Sequence, residues 1–283
     1  MKELFLAMGE NMNNRFIVPH GGRGLNLAEW DPEDTGGITK ENVAEEYGKL
    51  HNEFYALQEL FYASKQYGLL IILQGMDCSG KDGTVKNTLA GVNPNGFYVE
   101  NFKTPSPEES GHDYLWRIHK KIPKKGDITV FNRSYYEDVL ITRVHNMIDD
   151  DTAFGRFGEI REFEKYLFRN NIVILKFFLH ISKEFQRKKL ENRLKNPEKN
   201  WKFSETDLKE RAFWDEYQKC YEDALANCSI KEAPWHIIPA DRRWFRDHII
   251  LKTIVGRMRE LKLEYPKIAG NLQELIREVT IEN

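Results

Sequence analysis

The clearest chemistry in the chain lies in Gly75-Met76-Asp77-Cys78-Ser79-Gly80-Lys81-Asp82. The spacing G-x-x-x-x-G-K is that of a phosphate-binding loop (Walker A). Its glycines let successive backbone N–H groups turn inward around phosphate oxygens. The helix N-terminus behind them adds a positive dipole end, and Lys81 supplies a point charge. Gly75, Ser79, Gly80, Gly83 and Thr84 are accordingly expected around phosphate. One position departs from the common pattern. Most such loops follow the lysine with Ser or Thr, whose hydroxyl binds Mg2+; here Asp82 stands there, and Asp77 lies within the loop. Two carboxylates repel a phosphate unless a divalent cation or basic groups lie between, so the loop is expected to work with Mg2+, or Mn2+ in its place. The bland alternative is a glycine-rich strand-to-helix turn with an incidental lysine. Cys78 occupies a variable loop position, with nothing nearby to make it a nucleophile.

A second constellation follows a short apolar run: Asn132-Arg133-Ser134-Tyr135-Tyr136-Glu137-Asp138. Ligands of an open α/β sheet sit at the carboxyl ends of its strands, so this segment should face the phosphate loop. It offers one cation (Arg133) and two carboxylates (Glu137, Asp138), the parts that phosphoryl transfer uses as metal ligands, orienting groups and charge stabilisers. A helix N-cap with acidic first-turn residues accounts for the same pattern. A third candidate is the basic stretch from Ser182 to Arg211. It reads either as a solvated helical hairpin with i,i+4 ion pairs or as a lid that closes on phosphates. The run from Arg193 to Lys202, with few anions of its own, favours the lid.

Elements that could position these groups are legible in the periodicity. Residues 1–38, rich in Gly, Asn, Pro and acidic side chains, read as an arm packed on something larger. Lys40 to about Tyr67 has helical spacing, and 69–73 is a continuous apolar run of the kind buried on both faces in a parallel sheet. Further strands are expected at 96–102, 128–131, 172–179 and 235–239. Helices are expected at 83–90, 107–120, 157–170 and 243–261. Strands alternating with helices imply an α/β three-layer sandwich with a mostly parallel sheet. No internal boundary is evident, so 39–283 reads as one domain with a lid at about 183–213.

Composition narrows the class. Net charge is −2 and the apolar and charged fractions are 41% and 30%, those of an ordinary soluble protein, so affinity for a polyanion must come from local clustering. Three unpaired cysteines, no long apolar run and no signal-like start at Met1–Arg15 point to a cytoplasmic protein without membrane or nucleic-acid partners.

Together these segments resemble polyphosphate kinase family 2, enzymes that pass phosphoryl groups between inorganic polyphosphate and nucleotides. The match runs from about Leu57 to Leu261. It rests on Leu73-Gln74-Gly75-Met76-Asp77…Gly80-Lys81-Asp82-Gly83, Phe102-Lys103…Pro105, Leu115-Trp116-Arg117, Phe131-Asn132-Arg133-Ser134…Tyr136-Glu137-Asp138-Val139-Leu140, Lys176 to Ser182, Trp201-Lys202, Trp214-Asp215…Tyr217 and Ala233-Pro234-Trp235. The Asn-Arg-Ser…Tyr-Glu-Asp version resembles the class III branch, which implies that AMP and ADP are both accepted and ATP is the end product. Tyr135, where the pattern has His, and Cys228-Ser229-Ile230, in place of a Thr-rich segment, depart from it. The resemblance implies that Asp77 and Asp138 hold the metal and the acceptor phosphate. It also implies that Lys81, Asp82 and Arg133 organise the transferring group, with Glu137 beside the acceptor. Phe102, Lys103, Thr104, Pro105, Arg117 and Asn132 would surround the nucleotide, and Arg193, Lys199 and Lys202 would line a basic polyphosphate channel. A homo-oligomer, dimer or tetramer, is expected as well.

Two other readings compete. A nucleoside monophosphate kinase using ATP would carry Lys-Ser or Lys-Thr where Lys81-Asp82 stands. A nucleotide-responsive binding protein without turnover has no Asn-Lys-x-Asp segment here, and a carboxylate-rich site is a poor resting place for a nucleotide.

Overall fold

The computed structural model describes residues 15–21 and 24–281; the first fourteen residues of the expected arm lie outside them. Five parallel strands form the sheet, in the order β2-β3-β1-β4-β5. β1 (Gly68–Gln74) lies at the centre and is buried along its whole length, as are β3 (Ile128–Asn132), β4 (Ile172–His180) and β5 (Trp235–Pro239). Continuous apolar runs can be satisfied only between two helical layers, which is why they read as parallel strands. β2 (Phe97–Asn101) is the edge strand and is partly exposed. Register places Leu73 beside Asn132 on one side and Phe177 on the other, so the phosphate loop, the Asn132–Asp138 turn and the end of β4 leave the sheet together.

Helix α1 (Lys40–Ser64) packs with α7 (Arg243–Glu260), which also packs on α2 (Lys81–Thr88); α3 (Asp150–Arg169) packs on β4 and on α6 (Trp214–Cys228). A hairpin of α4 (Lys183–Lys195), a 3-10 turn (Pro197–Lys202) and α5 (Glu205–Ala212) stands between β4 and α6. A last helix, α8 (Leu272–Ile281), is exposed.

Several expected boundaries shift, each for a local reason. The helix expected at 107–120 is two single turns, Pro107–Ser110 and Trp116–His119; Gly111 ends the first, and Asp113 Oδ1 accepts the Leu115 N–H at 3.0 Å before the second. α3 starts at Asp150 rather than 157 because Asp149 caps it, accepting from the Thr152 N–H at 2.8 Å; its polar first turns hide it from a search for apolar periodicity. α2 starts at Lys81, directly after Gly80 in the left-handed region (φ 98°). Helices α6 and α8 lie outside the helices that the periodicity predicts. The arm is woven into the core: Phe16, Val18 and Leu27 are buried with the strands, and Ile17 bridges antiparallel to His236.

Candidate active site

Gly75 opens the phosphate loop with φ 149°, and a Cβ there would stand 2.8 Å from the Leu179 carbonyl, so the loop can pass the end of β4 only as glycine. The Lys81 Nζ crosses the loop and donates to the carbonyls of Gly75 (2.7 Å) and Met76 (3.3 Å). Burial, then the neighbouring Arg133, push its pKa down, against the pull of Asp77, Glu137 and Asp82. The hydroxyls of Ser79 and Thr84 point inward, buried and without hydrogen-bond partners. Gly83 lies within the first turn of α2. Burial pushes the Cys78 thiol up to about 11, so it stays protonated and unreactive.

The turn after β3 meets this loop side chain to side chain. Arg133, itself in the left-handed region (φ 64°), donates from Nη2 to Asp77 Oδ1 at 2.7 Å. Asn132 Nδ2 donates to Asp82 Oδ1 at 2.7 Å. Burial opposes the Arg133 charge, but Glu137 and Asp77 outweigh it and hold the guanidinium protonated. Glu137 Oε1 accepts from Gln74 Nε2 at 2.9 Å, and Gln74 Oε1 accepts from Ser134 Oγ at 3.2 Å. Ser134 also caps the 3-10 turn Tyr135–Val139. Glu137 and Asp138 thus ride in the first turn of a capped element, the arrangement that the N-cap reading expects.

Asp138 faces the other way, into a cleft of about 600 Å3 lined by Pro105, His112, Tyr114, Arg117 and Arg156 among others. Burial pushes its carboxyl up to about 6, with Arg117 and Arg156 working against that. Arg117 Nη2 is 3.9 Å from Asp138 Oδ2, beyond hydrogen-bond range, while its Nη1 donates to the Lys103 carbonyl at 2.7 Å. Arg156 Nη1 donates to the Asp138 carbonyl at 2.7 Å. Lys103, Thr104 and Pro105 are exposed at the mouth. Phe102 is in the core instead, edge-to-face on Phe131 and with the Arg117 guanidinium over its ring, which leaves no open face for a base.

The two carboxylates expected to share a metal are each turned to a different arginine. Among the described residues no group of three or more His, Cys, Asp or Glu could hold an ion alone. Asp138 Oδ2 is nevertheless buried with no hydrogen-bond partner. An orphaned carboxylate oxygen is costly unless a cation takes it, and Mg2+ is commonly held by one or two carboxylates together with substrate phosphates. The donor set fits such an ion.

In the hairpin, α4 is two-faced. Its outer residues make i,i+3 and i,i+4 pairs: Arg187 with Glu184 and Glu191, Lys188 with Glu184, and Lys195 with Glu191. Its inner residues turn to the site. Gln186 Nε2 donates to the Asp77 carbonyl at 3.0 Å and its Oε1 accepts from Arg211 at 2.8 Å. Of the expected channel cations, Arg193 pairs with Asp207 at 2.7 Å, Lys199 Nζ donates to Asn192 Oδ1 at 2.8 Å, and Lys202 lies over the Trp201 ring. The ammonium of Lys189 is pushed down by burial and by Arg243, Lys199 and Arg246 around it. Lys189 belongs to the basic stretch expected as a lid, whereas Arg243, far along the chain, does not stand out in the sequence.

Behind the carboxylate turn lies a buried network. Tyr135 and Tyr136 hydroxyls both donate to Glu164 Oε1 at 2.8 Å, and Lys176 Nζ donates to Glu164 Oε2 (2.6 Å) and to the Cys228 carbonyl (2.7 Å). The Tyr135 hydroxyl and the Cys228 backbone carbonyl thus meet on one ion pair.

A family profile described as polyphosphate kinase 2 matches residues 37–266. The chain belongs to the polyphosphate kinase 2 family. An AMP/ADP-polyphosphate phosphotransferase of Meiothermus ruber is 43% identical over 255 residues, covering 89% of this chain and 95% of that protein. An ADP-polyphosphate phosphotransferase of Rhodopseudomonas palustris is 42% identical, covering 87% and 90%. The crystal structure of a polyphosphate kinase 2 from Arthrobacter aurescens TC1 superposes with a TM-score of 0.88 at 36% identity, covering 94% of this chain and 98% of that one. The fold is the P-loop kinase-like α/β sandwich of polyphosphate kinase 2, and enzymes of this family work with a divalent metal. No helix among the described residues is long and apolar enough to cross a membrane.

Proposed function

We propose that the chain transfers phosphoryl groups from inorganic polyphosphate to AMP and then to ADP, yielding ATP, with Mg2+ as the metal. One observation carries the reading. In a chain of this family, the two loop carboxylates, Asp82 in place of the usual hydroxyl and Asp77 within the loop, are bound by consecutive residues at the end of β3, Asn132 and Arg133.

The terminal phosphate of the donor lies in the loop, against its backbone N–H groups and Lys81. The acceptor nucleotide occupies the Asp138 cleft, with its phosphate toward Arg117 and Arg156 and its sugar and base toward Lys103–Pro105. An acceptor phosphate oxygen attacks the terminal phosphorus, and the bond to the rest of the chain breaks, leaving a polyphosphate one unit shorter. Arg133 lies over the transferring group and stabilises its charge, while Glu137, oriented by Gln74, borders the acceptor. Asp138, whose Oδ2 is buried without a partner, would hold a divalent cation together with Asp77 and substrate oxygens, and the cation would neutralise phosphate charge. The donor chain runs along Lys189, Lys199 and Arg243, whose like charges a polyanion relieves, and Arg193 and Lys202 extend this track on the hairpin lid.

Three free thiols suit a reducing cytoplasm, and the exposed apolar stripe Leu272, Leu275, Ile276 and Val279 suits self-association into a dimer or tetramer, measured by light scattering. The deciding experiment incubates the protein with AMP, polyphosphate and Mg2+ in the absence of ATP. ADP and then ATP are expected; transfer that requires ATP as donor, or no transfer, overturns the reading.

A further inference from the structure

Arg246, in the first turns of α7, is 1% exposed although it carries a full charge. Its Nε and Nη2 donate to Asp247 Oδ1 at 2.8 and 2.6 Å, and Asp247 Oδ2 accepts from Asn87 Nδ2 of α2 at 2.9 Å. The remaining nitrogen, Nη1, donates to the backbone carbonyl of Ser79 at 3.2 Å. The guanidinium fills the space that two loop glycines leave open. A Cβ on Gly80 would stand 2.0 Å from Nη1, and one on Gly83 3.4 Å from Nη2.

We propose that Arg246 is a positioning residue for the donor phosphates: it holds the Ser79–Gly80 peptide so that the cradle faces its substrate. The peptide is planar and trans, so its C=O and N–H point in opposite directions. Tying the Ser79 carbonyl back toward α7 turns the Gly80 N–H away from α7, toward the inside of the loop. Gly80 is therefore glycine for two reasons, its left-handed backbone (φ 98°) and the guanidinium pressed against its missing side chain. A buried ion pair of this kind adds little stability over apolar packing, so its worth lies in fixing one geometry. Asp247 and Asn87 complete the brace from two helices, joining the first turns of α7 to the helix that the loop opens.

The role rests on reading the loop as the donor cradle, and the test separates the two claims. Inorganic tripolyphosphate with Mg2+ and no nucleotide is titrated calorimetrically into wild type, Arg246→Gln and Arg246→Lys, alongside melting temperatures and KM values for polyphosphate and AMP. Arg246→Gln is expected to weaken tripolyphosphate binding and raise the polyphosphate KM about tenfold, with the AMP KM within about twofold of wild type. Arg246→Lys, which keeps the charge but loses the fork, falls between them. A folded Arg246→Gln that binds tripolyphosphate like wild type, or that loses affinity for both substrates equally, overturns the role. Should Arg246→Gln not fold, Asn87→Ala, which frees Asp247 but keeps the arginine, takes its place. A roughly threefold loss in tripolyphosphate affinity is expected there, and no loss overturns the role. Wild type that binds no tripolyphosphate overturns the cradle reading itself.

Discussion

Asp77 pairs with Arg133 at 2.7 Å, and Asp138 lies 3.9 Å from Arg117, so neither carboxylate is paired with the other. Removing one charge while keeping the shape should therefore leave the fold intact and damage turnover. Asp77→Asn and Asp138→Asn are each expected to lower kcat roughly 10²–10³-fold in the ATP-free AMP assay, whereas Lys199→Ala should raise the polyphosphate KM a few-fold with kcat near wild type. An Asp138→Asn enzyme with wild-type kcat would remove the basis for placing the acceptor in that cleft. At this scale the sequence spoke clearly wherever chemistry is local. The loop, Arg133, Glu137 and Asp138 are contiguous with strand ends, so their spacing marks them as candidates, although a capped turn accounts for the second segment equally well. Arg246, Gln186 and Arg156 reach these groups from distant helices, and only the folded chain brings them there. Phe102 shows the opposite failure: an aromatic beside a binding segment reads as a stacking face, yet its ring belongs to the core.

The carboxylate turn is held from behind by Glu164 of α3 and Lys176 of β4, both fully buried. Neutralising one partner of a buried pair leaves the other charge without compensation, which typically costs about 3–5 kcal/mol. Glu164→Gln should accordingly lower stability to denaturant by roughly 3 kcal/mol, and it should cut kcat even at temperatures where the variant remains folded, because an amide offers one acceptor oxygen where the carboxylate offers two, so either Lys176 or the pair of tyrosine hydroxyls that anchor the Tyr135–Val139 turn loses its acceptor. Urea unfolding together with kcat at low temperature checks both; full activity in the folded variant would show that the turn holds itself. The strands were readable from their unbroken apolar runs. The starts of α2 and α3 were not, because there caps and left-handed residues, rather than apolar period, decide where a helix begins.

Across the whole molecule, acid should be the sensitive direction. Burial pushes His236, hydrogen-bonded at Nδ1 to the Lys176 carbonyl, down to about 4 from its ordinary 6.5. Between those values the unfolded chain binds a proton that the folded one does not, so stability falls as pH drops through that window, by at most about 3 kcal/mol. Above pH 6.5 the loss is absent. His236→Asn should flatten the decline between pH 6.5 and 4 by about one proton in urea-melt series; an unchanged slope would assign the acid lability to other groups.

The antiparallel ribbon at Phe16–Val18 has a further effect. Val18 N–H donates to the Trp235 carbonyl and Ile237 N–H to the Phe16 carbonyl, so the outer margin of β5 is already covered by the chain's own beginning. A strand margin left open invites pairing with other molecules. A chain trimmed to start at residue 39 would keep every group named in the active site, yet it would bare that margin and the apolar row beneath it. Its expected fate is precipitation on standing, read as rising turbidity beside a clear full-length control. Residues 15–38, which supply no group named in the active site, are then expected to guard the open side of the sheet.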